Sequence, residues 1–255
     1  MNVQDLRDRK GKEKIIMLTA YDYQMAKIID ACGIDLILVG DSLGNVVKGD
    51  GDTKNVSMDD VLYHTSAVAR GAKKTGVIGD VPINSDRTPE EALRNARRLV
   101  EAGAHAIKLE GFKPEATKTI LDGGIPVMGH VGMLPQTAET YRVKGKEPED
   151  AERILNDASG LDELGVFSMV VECVPEALAR KITQAVKAPT ISAGAGKYCD
   201  GQNLNMHDIL GMDDSWAPKF VKKYVNLNKI IKDVITQFKQ EVLSGTFPDD
   251  AHTYH

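Results

Sequence analysis

The run Leu36-Ile37-Leu38-Val39-Gly40-Asp41-Ser42 decides the fold. Four large apolar residues stand without polar interruption and then stop at Gly-Asp-Ser. Such a run, closed by a turn signal, predicts a strand buried on both faces, as in a parallel sheet. A carboxylate and a hydroxyl stand where that strand leaves the sheet. Parallel α/β proteins gather their chemistry at the carboxyl ends of their strands.

The same grammar returns on either side. Lys14 to Leu18 runs into Thr19-Ala20-Tyr21-Asp22. Val77 to Asp80, Ala106 to Gly111, Ile125 to His130, Phe167 to Glu172 and Pro189 to Ala193 follow, each with a polar residue or a glycine turn at its exit. Lys108 and Glu110 lie two apart and therefore share one face of their strand. Leu204 to His207 is the eighth strand candidate. Helices are expected between them. Asp22 caps Tyr23 to Ala31, and another helix runs from Ser57 to Gly71. Thr88-Pro89-Glu90-Glu91 supplies a cap, a proline at the first position and an acidic first turn for a helix that ends before Gly103. Ala92, Ala96, Leu99 and Val100 fall on one face of that helix. Further helices are expected over Glu115 to Asp122, Pro148 to Leu164 and Pro175 to Val186. Residues 43–57 and 131–147 read as long loops. Asn228 to Ser244 predicts an amphipathic terminal helix.

Strands alternating with helices predict α/β architecture with parallel pairing. Seven or eight such units in an undivided chain of 255 residues predict one domain over 1–255. The expected form is a (β/α)8 TIM barrel, which typically takes roughly 250 residues, with an additional C-terminal helix. An open doubly wound sheet is the alternative topology. A net charge of -5 argues against a nucleic-acid partner. No apolar run approaches the roughly 20 residues that span a bilayer, so no membrane partner is expected. The N-terminal stretch is charged and lacks a signal-peptide core, and Cys32, Cys173 and Cys199 are too few and too scattered for a disulfide framework. A cytoplasmic location is the expectation.

Collected in order, the strand exits carry Asp41 with Ser42, Asp80, Lys108 with Glu110, His130 and Glu172. Taken singly, each acid is more often a helix cap or a solvated turn residue. Taken together in a barrel, they converge on one end of one cylinder. Asp41, Asp80 and Glu110 are hard oxygen donors, which suits Mg²⁺ with open positions for substrate oxygens. An ion so held would chelate a 2-oxo acid and stabilise its enolate. Lys108 offers a point charge for the substrate carboxylate. Glu172, outside the metal cluster and expected to be desolvated at the end of an apolar strand, is the candidate general base or acid. His130 reads either as a substrate contact or as a hydrogen-bonder behind the ligands. Gly194-Ala195-Gly196-Lys197 lacks the spacing of a phosphate loop. Cys173 reads as a small buried filler, His207 with Asp208 as a structural pair, and Met206, Met212 and Trp216 as packing residues.

The chain resembles the ketopantoate hydroxymethyltransferase family. The matching strings are Thr19 to Asp22, Val39 to Gly44, Tyr63 to Thr65, Lys108 to Gly111, Gly129 to Gly132 with Pro135-Gln136, and Glu172 to Pro175. Gly194 to Gly196, Asp200 to Gln202, His207-Asp208, Pro218 to Phe220 and Gly245 to Pro248 complete them. The resemblance implies a barrel of the phosphoenolpyruvate/pyruvate superfamily, assembled as a homodecamer. It implies hydroxymethyl transfer from 5,10-methylenetetrahydrofolate to 3-methyl-2-oxobutanoate in pantothenate biosynthesis. Carried over by motif, Asp41, Asp80 and Glu110 correspond to the Mg²⁺ site. Asp41, Ser42, Asp80 and Lys108 correspond to 2-oxo acid contacts, and Glu172 to the proton acceptor. Three segments depart from the family pattern: Thr53 to Ser57, Asp80 to Asp86, which lacks two aromatics, and Glu139 to Gly145. A related Mg²⁺-dependent carbon–carbon lyase or aldolase, and an inactive paralogue, are the competing readings.

Overall fold

The computed structural model describes residues 2–214 and 217–255. The chain forms two compact units, Met1–Asn205 and Met206–His255. The first is the barrel. Its strands are β1 (Ile15–Thr19), β2 (Leu36–Val39), β3 (Gly76–Asp80), β4 (Ala106–Lys108), β5 (Val127–Gly132), β6 (Ser168–Glu172), β7 (Thr190–Ala193) and β8 (Gly201–Asn205). Every neighbouring pair is parallel, and β8 pairs with β1 to close the cylinder in sequence order. The open-sheet alternative is thereby excluded.

The helices form where local chemistry directs them. In the barrel unit they are α1 (Val3–Asp8), α2 (Tyr23–Ala31), α3 (Met58–Gly71), α4 (Pro89–Glu101), α5 (Pro114–Asp122), α6 (Pro148–Leu164) and α7 (Glu176–Ala185). The Asp22 carboxylate accepts the amide of Met25 at the start of α2. Ser57 and Asp60 make a reciprocal capping box on α3. Thr88 accepts the Glu91 amide on α4. Each such cap satisfies a donor that the first turn leaves open, for about 1 kcal/mol. On α4, Ala92, Ala96 and Leu99 are fully buried, whereas Val100 is 40% exposed. The apolar stripe is therefore one residue narrower than its periodicity suggests.

Inside the cylinder Ile15, Met17, Leu36, Leu38, Ile78, Met128, Phe167 and Ile191 form one apolar cluster. Leu6 of α1 joins it, so this short unforeseen helix contributes to the barrel core. The next turn is tied to the strands by Asp200. One Asp200 oxygen accepts from Lys10 Nζ at 2.9 Å and from the Thr190 amide at 2.9 Å, and the other accepts the Gly11 amide at 3.0 Å. Burial would raise the Asp200 pKa, but these hydrogen bonds outweigh it and hold the carboxyl below its ordinary value. Its contribution is therefore complete above the ordinary carboxylate pKa and lost as pH falls through the lower folded value. Asp200→Ala strands a buried amide and an ammonium, and is expected to lower the unfolding free energy by about 3 kcal/mol. Urea melts should show that deficit at pH 7 and show it shrinking in strong acid.

Two sequence expectations are corrected here. The eighth strand lies at Gly201–Asn205, not at Leu204 to His207, and the chain turns helical at α8 (Met206–Ile209). Gly-Gln-Asn-Leu-Asn has no apolar run; its place is set by ladders to β1 and β7. A Cβ on Gly201 would lie 2.4 Å from the Ile15 carbonyl oxygen, so only glycine admits that approach. The loop after β2 is also not featureless, since Gly44–Lys48 forms a π-helical turn. In the second unit, α9 (Leu227–Ser244) has an Asn226 cap and no buried residues. Met206 is buried and Met212 half-buried, while Trp216 lies outside the described residues. No helix among the described residues is long and apolar enough to cross a membrane.

Candidate active site

The carboxyl ends of the strands bring Asp41, Asp80, Lys108, Glu110, His130 and Glu172 together, while the Ser42 hydroxyl contacts Tyr21 instead. Asp80 closes β3 and Lys108 closes β4, directly opposite it in register. Lys108 Nζ donates to both Asp80 oxygens at 2.7 Å, with both side chains almost wholly enclosed. The Asp41 amide donates to Asp80 Oδ2 at 3.3 Å. Gln136, on the loop after β5, joins two exits. Its amide donates to Glu110 Oε1 at 2.9 Å, and its side chain donates to the Val81 carbonyl at 3.0 Å.

His130 lies in β5 and is fully buried. Its Nδ1 stands 3.4 Å from Glu110 Oε2 and its Nε2 stands 3.2 Å from Glu172 Oε2. Both contacts fall short of hydrogen-bond alignment, so they act chiefly as charge contacts. Glu172 ends β6 beside Gly132, with its side chain 19% exposed. The desolvation expected of it is therefore only partial. Gly132 has φ +102°, and a Cβ there would lie 2.2 Å from the Glu172 carbonyl oxygen. Only glycine lets β5 pass so near to the candidate base. Cys173 follows at φ 45°. Burial, and then the Glu172 charge, push its thiol up to about 12, which keeps it a protonated filler. The Gly194–Gly196 turn is engaged by Gln202, which donates to the Gly196 carbonyl.

The electrostatics are those of excess negative charge. Asp41, Asp80 and Glu110 face the single ammonium of Lys108. Burial opposes the Lys108 charge, but the three carboxylates outweigh it and hold the amine protonated. Burial first, then Asp80, raises the Asp41 pKa to about 7. Burial would likewise raise Glu110, yet His130, Lys108 and the Gln136 amide bring it below its ordinary value. Burial would lower the His130 pKa, but Glu110 and Glu172 against its ring raise it to about 9.

Among the described residues no three His, Cys, Asp or Glu side chains stand in one ready-made metal group. Lys108 takes both oxygens of Asp80. Asp41 Oδ2 and Glu110 Oε2, by contrast, are buried without a hydrogen-bond partner. Orphaned buried carboxylate oxygens are costly. Two of them beside a surplus of negative charge fit a hard divalent cation, with Asp80 adjacent and shared with Lys108. Sequence reasoning passed over Gln136, Tyr21 and Asn205 as site residues. Gln136 and Tyr21 stood inside quoted strings, but Asn205 was hidden by the misplaced eighth strand.

The family model described as ketopantoate hydroxymethyltransferase matches residues 1–250. A 3-methyl-2-oxobutanoate hydroxymethyltransferase of Syntrophomonas wolfei subsp. wolfei is 48% identical, covering 100% of this chain and 95% of the relative. One of Ignicoccus hospitalis is 48% identical over 99% of this chain and 98% of its own. Among solved structures, phosphonopyruvate hydrolase in complex with oxalate and Mg²⁺ superposes with a TM-score of 0.67 at 13% identity, covering 99% of this chain and 91% of that one. A 2,3-dimethylmalate lyase superposes at 0.63 and 13% identity, with the same coverage. At such identities the structural likeness speaks for the fold alone.

Proposed function

The chain belongs to the ketopantoate hydroxymethyltransferase family of enzymes, and from that membership we propose that it transfers a hydroxymethyl group from 5,10-methylenetetrahydrofolate to 3-methyl-2-oxobutanoate, giving 2-dehydropantoate for pantothenate synthesis. The observation that carries this reading is the convergence of Asp41, Asp80, Lys108, Glu110, His130 and Glu172 at one barrel mouth. Asp41 and Glu110 would hold Mg²⁺, with Asp80 beside them. When bound there, the ion would supply Lewis-acid chemistry to the 2-oxo acid. The Lys108 ammonium neutralises the substrate carboxylate, and the Ser42 hydroxyl hydrogen-bonds to it. Glu172 takes the C3 proton. His130, against both Glu172 and Glu110, orients the base and stabilises its charge. The C3 carbon then bonds to the methylene carbon as one of its two C–N bonds to the folate breaks, and water replaces the second folate nitrogen to give the hydroxyl. The proton taken by Glu172 and one proton of that water end on the two nitrogens of the departing tetrahydrofolate.

An omission assay tests the reaction. Product is expected only when the oxo acid, methylenetetrahydrofolate and Mg²⁺ are all present; product without the folate would reject the donor. The Asp41 pKa of about 7 gives a further expectation. Metal binding requires the ionised carboxylate and so displaces its proton. Mg²⁺ affinity should rise by up to about tenfold per pH unit below 7 and level off above it. Calorimetry in buffers of different ionisation enthalpy should show close to one proton released at pH 6 and almost none at pH 8. An affinity flat across that range would remove Asp41 from the metal site.

A further inference from the structure

Ser42 follows Asp41 at the exit of β2 and is half-buried. Its hydroxyl oxygen lies 2.8 Å from the Tyr21 hydroxyl. Tyr21 follows β1 and is 2% exposed. The Asn205 amide, at the end of β8, donates to the same Tyr21 hydroxyl at 2.6 Å. His64 Nδ1 sits 2.7 Å from the Tyr21 carbonyl oxygen, and the two rings pack edge to face. Three strand exits therefore meet on one phenol, and that phenol meets Ser42.

A serine hydroxyl has three staggered positions and little of its own to choose among them. A half-buried serine at a turn would divide its time between them and present its oxygen to a ligand only part of the time. A contact to a rigid phenol selects one position, whichever oxygen donates. Gly40 leaves room for that position, since a Cβ there would stand 3.3 Å from Ser42 Oγ. We propose that Tyr21, held by Asn205, is the positioning residue that fixes the Ser42 hydroxyl for the substrate carboxylate. The inference rests on the hydroxymethyltransferase reading for the identity of that ligand. The fixing of the rotamer stands apart from it.

Tyr21→Phe keeps the ring and removes only the hydroxyl. KM for 3-methyl-2-oxobutanoate is expected to rise about tenfold with kcat within about twofold, the pattern of lost binding shared by ground and transition states. Ser42→Ala should do the same, and the double variant should be no worse than Ser42→Ala alone, because the two groups act as one unit. Asn205→Ala should give a smaller KM rise in the same direction. A high-resolution crystal structure of Tyr21→Phe should show Ser42 in more than one rotamer. Additive KM effects, a lowered melting temperature with KM unchanged, or a single retained Ser42 rotamer would each overturn the proposal. If the unmodified enzyme makes no product from this oxo acid, the functional reading fails, and the Ser42 rotamer in the crystal still decides the positioning role.

Discussion

Glu110→Ala is expected to weaken Mg²⁺ binding by more than about 100-fold and to reduce turnover by at least about 10³-fold, the loss of roughly 4 kcal/mol of transition-state stabilisation. Glu110 Oε2, like Asp41 Oδ2, is a buried carboxylate oxygen at the barrel mouth without a hydrogen-bond partner. Its other oxygen accepts the Gln136 amide at 2.9 Å, which fixes the direction in which the free oxygen points. Alanine removes the ligand and also removes the charge facing His130 Nδ1. Glu110→Gln separates these effects. It keeps the volume and one oxygen, so it should fold normally and still bind Mg²⁺ poorly. Calorimetric Mg²⁺ titration together with steady-state kinetics decides the matter, and unchanged values in both variants would reject the metal assignment.

Glu172→Gln is expected to bind the oxo acid with nearly the parental affinity while losing about 10³-fold in deuterium exchange at C3, within the range of a general base. The reason is geometric. Glu172 stands outside the Asp41–Asp80–Glu110 group and reaches it through His130, whose Nε2 lies 3.2 Å from Glu172 Oε2. Removing its charge leaves the acids and Lys108 as they are. Exchange monitored by NMR, with folate left out, isolates proton removal from carbon–carbon bond formation. Exchange at the parental rate in this variant would exclude Glu172 as the base.

Much of the scaffold is legible in the sequence because its signals are local. The spans of Tyr23–Ala31, Pro89–Glu101 and Pro148–Leu164 follow from Asp22, from Thr88 with Pro89, and from Pro148 before an apolar stripe. Each signal acts within a single turn of its helix. The continuous apolar runs ending at Val39, Asp80 and Glu172 mark β2, β3 and β6 for the same reason. Strand β8 gave no such signal. Its glutamine and asparagines are ordered by β1 and β7, which lie far away in the chain. Helix α1 was missed although Asn2 caps it by accepting the Gln4 amide, because its six residues carry one buried position, Leu6, whose core partners come from the strands.

The sequence by itself determined the kind of chemistry: acids, a lysine and a histidine at successive strand exits, although β4 ends at Lys108 and Glu110 lies just past it rather than on the strand face expected of it. Tertiary structure decided who meets whom. Parallel register set Lys108 opposite Asp80, so the ammonium takes that carboxylate and leaves Asp41 and Glu110 with the unpartnered oxygens. Barrel closure carried Asn205 to Tyr21, and Tyr21 to Ser42. Spacing along a strand fixes a side chain's face, but its partner comes from a neighbouring strand, and only the closed ring of ladders sets that alignment.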